Sequence, residues 1–432
     1  MKKSAAFLVL MLMLCFAFAQ VTFDVNPVII KANNYYDYQI GGYNGFAIEK
    51  EQATGNLFMT YMYKSSGSSQ RKQMYAYINS QGQIIHDGTL TDDDQNEGFG
   101  SLAIDQNTGH AFFVWHRKNI ENNLFEIMIT AIDPENAYIY PFSTIYPAID
   151  ESSYTWPVIY IGTSPFDNKR RIHVFTNKQE YDVSGGYIRK VYYAYADFDD
   201  SLFNCNTLDL VWHYAEFPYF DAAQNSLTIA RTYPTYAVKD NRVVVGGRIT
   251  ATEGISSPTN IDSLLFAPHD TFFLVNENYG EGNFTLHTYD TARSIPSPVN
   301  SDGQVFPADQ SNYKIEHGSL YNVNMTFNES KVQFPAVYIC TFDKENSLSY
   351  DSYWPLTSYV KNVAFDFNTQ SLFIEDLEPT GDFPQDGLLT IPWDFDENGV
   401  PDSFDEQGNW EFQCLQFPSA HHCPEDMFSL GY

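Results

Sequence analysis

Gly100-Ser101-Leu102-Ala103-Ile104-Asp105, then Asn107-Thr108-Gly109, then His110-Ala111-Phe112-Phe113-Val114-Trp115 reads as two apolar strands around a polar turn. Asn, Asp and Gly supply the backbone conformations that a tight turn needs, and the flanks are rich in residues that favour strands. The same phrase occurs earlier: Gly45-Phe46-Ala47-Ile48, then Ala53-Thr54-Gly55-Asn56, then Leu57-Phe58-Met59-Thr60-Tyr61. Phe46, Leu102 and Val158 fall at equal intervals of 56 residues. A hairpin repeated at a fixed period predicts a radial or stacked β architecture.

Extending the pattern gives units of four strands, the form of a propeller blade. Blade one is read as Phe46–Lys50, Leu57–Tyr63, Gln73–Asn79 and Gln83–Leu90, and blade two as Ser101–Asp105, Ala111–His116, Phe125–Ile132 and Ala137–Thr144. Blade three is Trp156–Ile161, Arg171–Thr176, Lys190–Phe198 and Asp209–Glu216. Blade four is Thr235–Lys239, Arg242–Ile249, Thr271–Asn276 and Asn283–Tyr289, with an insertion from Ala251 to His269. Blade five is Leu320–Asn328, Gln333–Phe342 and Leu348–Tyr353, and blade six is Lys361–Phe367, Ser371–Leu377, Leu388–Phe395 and Trp410–Phe417. The expected fold class is therefore all-β, a six-bladed β-propeller with four-stranded blades. Either Val21–Lys31 supplies the strand that closes the ring, or the chain is truncated at its C-terminus.

The first residues read as a secretory signal. Lys2-Lys3 precede an apolar run from Ala5 to Phe16, and Ala17-Phe18-Ala19 is a cleavage site before Gln20. Residues 1–19 are thus set aside, and 20–432 form a single propeller domain. The apolar run is shorter than the roughly 20 residues of a membrane span. The chain carries a formal net charge of −30, and losing Lys2 and Lys3 makes it more acidic still. Such a field repels phosphates, which excludes nucleic acid and anionic membrane as natural partners. Cys205, Cys340, Cys414 and Cys423 remain after cleavage, and their pairing is open.

The sharpest local motif is Asp394-Phe395-Asp396-Glu397-Asn398-Gly399-Val400-Pro401-Asp402-Ser403-Phe404-Asp405. Calcium needs six to eight oxygens. Asp394, Asp396 and Asp405 would supply charge, Asn398 a carbonyl, Val400 its backbone oxygen, and Asp402 a direct or water-mediated contact. Gly399 permits the sharp turn. Calcium is accordingly the expected cofactor, stiffening a loop. Asp92-Asp93-Asp94 and the group Asp197, Asp199, Asp200 read as solvated turns. His116, Arg117 and Arg248 are the candidate ligand-binding residues, with His173 on the strand equivalent to that of His116. Sequons occur at Asn283, Asn324 and Asn328.

The repeated Leu102-Ala103-Ile104-Asp105 and Val363-Ala364-Phe365-Asp366 phrases, with the Asp394–Asp405 loop after the last blade, resemble the secreted sialidase-like propellers of Gram-negative bacteria associated with type IX secretion. The twelve-residue loop is similar to those of thrombospondin type 3 and dockerin repeats. The resemblance implies a propeller exported through the periplasm to the cell surface or medium. Sialidase chemistry needs an arginine cluster, a Tyr–Glu nucleophile pair and an acid. Arg117, Arg171, Arg231 and Arg248 form no recognisable set in sequence, and the S-x-D-x-G-x-x-W turn is missing. The expected function is a non-catalytic glycan- or protein-binding module. A sialidase-type glycoside hydrolase and a structural envelope component are the alternatives. An enzyme should gather arginines, a Tyr–Glu contact and an acid at one end of the axis.

Overall fold

The computed structural model describes residues 29–36, 46–92, 94–147, 153–181, 187–217, 227–228, 234–248, 250–251, 271–289, 313–317, 325–342 and 353–376. Blade one contains β1 (Ile48–Lys50), β2 (Leu57–Tyr63), β3 (Lys72–Ile78) and β4 (Ile84–Thr89). Blade two contains β5 (Glu97–Ile104), β6 (Ala111–Lys118), β7 (Phe125–Asp133) and a split fourth strand, β8 (Tyr138–Ile139) and β9 (Ser143–Tyr146). Blade three contains β10 (Ser153–Thr163), β11 (Arg170–Tyr181), β12 (Tyr187–Phe198) and β13 (His213–Glu216). A short strand β14 (Leu227–Thr228) follows. Blade four is β15 (Thr235–Lys239), β16 (Arg242–Arg248), β18 (Thr271–Asn276) and β19 (Thr285–Tyr289), while β17 (Thr250–Ala251) pairs with β14. Blade five has a split first strand, β20 (Tyr313–His317) and β21 (Thr326–Asn328), then β22 (Lys331–Phe342), β23 (Tyr353–Asp366) and β24 (Ser371–Asp376). Every strand pair is antiparallel. The one helical turn among the described residues is a 3-10 turn, Asp200–Asn204.

Consecutive blades pack face to face, and burial follows. In β2 the pattern is alternating, with Phe58, Thr60 and Met62 buried. In β6 and β7 successive positions are buried, because both faces of blade two are covered. Phe58, Tyr75 and Tyr77 of blade one meet Leu102, Phe113 and Trp115 on one face. Phe112, Val114 and Ile129 meet Ile159, Val174 and Tyr192 of blade three on the other. Phe175 and Tyr193 of blade three then meet Tyr236, Val245 and Leu274 of blade four. Each such side chain contributes about 1.5–3 kcal/mol by leaving water.

The first strands converge on a common line. Leu102 N donates to Phe46 O at 3.0 Å. The Ser101 hydroxyl accepts from Phe46 N at 3.1 Å and from Ile159 N at 3.4 Å. The Phe46 ring meets Tyr160 edge-on at 5.1 Å, and the Tyr160 hydroxyl donates to Tyr236 O. These contacts join the first strands of blades one to four, which makes the array a propeller. The 56-residue spacing of Phe46, Leu102 and Val158 is not one of equivalent places: the two bulges match Ser101 with Val158 and Leu102 with Ile159, and Leu102 packs toward blade one whereas Val158 packs toward blade four.

The six-blade layout needs correction. Lys361–Phe367 and Ser371–Leu377, read as the opening of a sixth blade, fall on the third and fourth strands of blade five. β23 pairs with β22 from Lys331↔Asp366 to Thr341↔Tyr353, so it cannot start a new sheet. The misreading has a physical cause. Asp105 accepts from Asn107 N in a turn between first and second strands, and Asp366 accepts from Asn368 N in a turn between third and fourth. The same side-chain chemistry closes either hairpin. Each third-to-fourth-strand turn is in fact opened by an Asn or Asp that accepts a backbone N–H two residues on: Asn79, Asp133, Asp199, Asn276 and Asp366. The structure describes five four-stranded blades, and the expected Leu388–Phe395 and Trp410–Phe417 strands lie outside the described residues.

First-to-second and third-to-fourth turns share one end of the propeller, the turn end. Second-to-third turns and blade-to-blade connections share the other, the loop end. At the turn end, neighbouring residues of β11 reach in opposite directions, as successive strand positions must. Arg170 bonds Asp105 of blade two at 2.6 Å, and Asp200 at 2.8 Å. Arg171, fully buried, bonds Asp197 at 2.6 Å and Glu281 of blade four at 2.7 Å, and stacks on Tyr195. The residues read as an acidic cluster are therefore a turn former, Asp199, and two arginine partners.

Removing Arg171 strands two carboxylates, so Arg171→Met should cost about 3–5 kcal/mol in chemical denaturation. Removing Arg242 from its exposed pair with Glu277 should cost less than about 1 kcal/mol. Burial pushes the Asp197 carboxyl up, but the hydrogen bond and charge of Arg171 outweigh it and hold Asp197 below its usual 3.8. Its contribution is present above pH 3.8 and is lost as pH falls through the lower folded value. Asp197→Asn should flatten the acid limb of a stability–pH curve in that window.

Candidate functional site

The loop end of blades one and two gathers a polar cluster beneath partly exposed aromatics. Its framework is the bulge in β5, where the register with β6 shifts between Gly98 and Ser101. Phe99 sits in that bulge at φ 50°. Blade three repeats the device: β10 shifts register between Thr155 and Val158, and Trp156 sits at φ 55°. Left-handed backbone at a non-glycine residue costs on the order of 1–3 kcal/mol and clusters at functional sites. Two aromatics are thus held this way at equivalent places, both partly exposed.

The glycines around Phe99 are there for space. A Cβ at Gly98 would lie 2.5 Å from Arg71 Nε, and one at Gly100 would lie 2.8 Å from the Gln73 amide. With no Cβ at Gly98, Arg71 lies along the inner strand, and with none at Gly100 there is room for Gln73. Its Nε donates to Glu97 O, Nη1 donates to Tyr36 Oη at 3.2 Å, and Nη2 lies 3.3 Å from His116 Nε2. The guanidinium also stacks on Phe99 and Tyr36. Behind it, fully buried Glu97 accepts from Gln73 N at 3.2 Å and from the Thr91 hydroxyl.

His116 and Arg117, the candidate binding residues of the sequence, both lie at this end, each engaged by neighbouring groups of the protein. His116 is 3% exposed, with Trp156 N 3.4 Å from its Nδ1 and the Phe99 and Phe125 rings on either side. Arg117 donates twice to Glu126, at 2.6 and 3.1 Å, and stacks on Phe142. Arg248 ends β16 of blade four, paired with Thr271, at the same end of its blade. His173 is fully buried, with Nδ1 2.7 Å from the Tyr193 hydroxyl, and is core. The loop Asp394, Asp396, Asn398, Val400, Asp402, Asp405 lies outside the described residues, as does Arg231.

Arg71, Glu97, Phe99 and Trp156 were not singled out in the sequence. The signal that marks them is Gly98-Phe99-Gly100 and Thr155-Trp156-Pro157, each an aromatic interrupting an otherwise regular first strand. The sialidase set, meanwhile, is divided. Arg71 and Arg117 sit at the loop end, whereas Arg170 and Arg171 share the turn end with a Tyr–Glu contact, Tyr77 Oη to Glu51 at 3.0 Å. Among the described residues there is no group of three or more metal-ligating side chains, and no helix long and apolar enough to cross a membrane.

No protein-family model matches the chain, and no curated protein does. Solved structures similar to it include the NanB sialidase from Streptococcus pneumoniae, at 9% identity and TM-score 0.40 over 82% of this chain and 63% of that one. Hadza microbial sialidase Hz136 matches at 9% identity and TM-score 0.36 over 78% and 65%. The Penicillium chrysogenum alpha-L-arabinanase complexed with arabinobiose matches at 11% identity and TM-score 0.36 over 73% of each chain. The chain therefore spans less than two thirds of the two sialidases, and likenesses at this level carry no argument about activity.

Burial, and then the charge of Arg71, hold the His116 imidazole well below its ordinary 6.5. In an NMR titration His116 should stay neutral down to well below pH 6.5. Arg71→Met should raise its midpoint while leaving it under 6.5, because burial is the larger cause. Since the unfolded histidine protonates first, stability should fall as pH drops below 6.5.

Proposed function

We propose that the loop end of blades one to three binds a glycan without cleaving it, in a protein exported by its signal sequence to the cell surface or medium. One observation carries this reading: Phe99, stacked under Arg71, and Trp156, whose backbone N–H meets His116, are held at positive φ in equivalent bulges, and both are partly exposed. Rings of this kind offer an apolar face to the C–H side of a sugar, and Trp adds a donor. The arginines are engaged by Glu126, Tyr36 and the β5 backbone, which fits a scaffold role better than capture of a substrate carboxylate. Arg170 and Arg171 share the turn end with Tyr77–Glu51, but both are engaged by carboxylates of the protein itself, which favours binding over sialidase chemistry.

In the same reading calcium stiffens the Asp394–Asp405 loop, supported by the spacing of its oxygen donors. Calcium should then raise the melting temperature, and Asp396→Ala should abolish that gain; an unchanged melting temperature on chelation would remove calcium from the account.

Glycan-array binding of the secreted protein tests the main proposal. Trp156→Gly removes the ring and relieves the left-handed backbone, so folding should persist while affinity drops at least about 10-fold. Equal binding by that variant of every glycan the parent binds, or no binding by the parent, would overturn the proposal. Release of free sugar from a generic sialoside would overturn its non-catalytic part.

A further inference from the structure

The turn end carries a second concavity, remote from Phe99 and Trp156. A cleft of about 310 Å3 opens between the third-to-fourth-strand turns of blades four and five. Its acids are already matched: Glu277 accepts from Arg242 at 3.1 Å, and Glu281 from Arg171 at 2.7 Å. Asn276 is consumed by its own turn, accepting from Asn278 N and Gly280 N and donating to Glu281 O and Asn283 O. The remaining polar lining is neutral. Asn278, Asn283 and Gln370 are exposed and His287 is half-buried, and none of these four side chains hydrogen-bonds to another described residue. Phe365 and Phe367 form the apolar wall, with the His287 ring packed 4.6 Å from Phe365.

That lining selects a class of ligand. Compensated carboxylates disfavour a free cation, and the absence of an unpaired cation in the lining disfavours an anion. Amide groups offer a donor and an acceptor side by side, as vicinal sugar hydroxyls do in return. The volume lies at the small end of ligand pockets, enough for one or two pyranose rings. We infer that this cleft is a binding site for a neutral saccharide of one or two rings, independent of the loop-end site. Burial holds the His287 imidazole below its usual 6.5, so this ring brings no cation into the cleft at neutral pH.

The test is calorimetric titration and saturation-transfer NMR of the full chain with glucose, galactose, xylose, cellobiose and lactose, and with glucuronate as the charged control. Asn278→Ala/Gln370→Ala alters exposed side chains only, so the variant should fold. At least one neutral sugar should bind saturably, with affinity reduced at least 10-fold in the double variant and unchanged in Trp156→Gly. Persistence in Trp156→Gly separates this site from the loop end, so either can fail alone. No saturable binding, equal binding by the double variant, or tighter binding of glucuronate than of every neutral sugar would overturn the inference.

Discussion

The close approach of the first strands is the constraint on which the molecule rests. Ser101 has no solvent exposure, and its hydroxyl accepts from the backbones of both neighbouring blades. Leu102 N and Phe46 O complete the junction. A strand edge normally presents unpaired donors and acceptors to water or to another chain. Here the inner edges satisfy part of one another's hydrogen-bonding capacity and are then covered by Phe46 and Tyr160. Wedge-shaped layers of aromatic side chains can fill the spaces between blades only because the inner edges are pinned at this spacing.

Much of this was legible in the chain. The hairpins of blades one to four were readable because the second and third strands bury at least one face, which imprints apolar periodicity, and because Asn, Asp and Gly mark the turns. The repetition was readable because the first strands carry the same apolar phrase, although the 56-residue interval falls one position short of the structural match of Leu102 with Ile159. Blade membership was harder. The Asp366 turn closes a hairpin with the same local chemistry as the Asp105 turn, and nothing in either says which pair of strands it joins. Only the long-range register of β22 with β23 decides that, and long-range register leaves no local trace.

The candidate site was legible in part for a similar reason. His116 and Arg117 stand out as polar residues ending an apolar strand. Arg71 comes from a different blade, and its relation to them depends on the missing Cβ atom at Gly98. Phe99 and Trp156 look like ordinary strand aromatics until the backbone shows the bulges that turn them aside. The acidic residues changed meaning most. Asp105, Asp197 and Glu281 are partners for buried or nearly buried arginines, so a substantial part of the negative charge near blade three is structural.

The neighbouring arginines of β11 have a consequence for the order of assembly. Arg170 reaches a partner 65 residues earlier, and Arg171 reaches one 110 residues later. Neither bond can form until strands of blades two, three and four have been brought together, so these links belong to late steps of folding. Once made, they couple the three blades: opening the middle one exposes a guanidinium on each side. Blades two to four are therefore expected to lose structure as one cooperative block and not as separate repeats, unlike an open solenoid whose units fray from its ends.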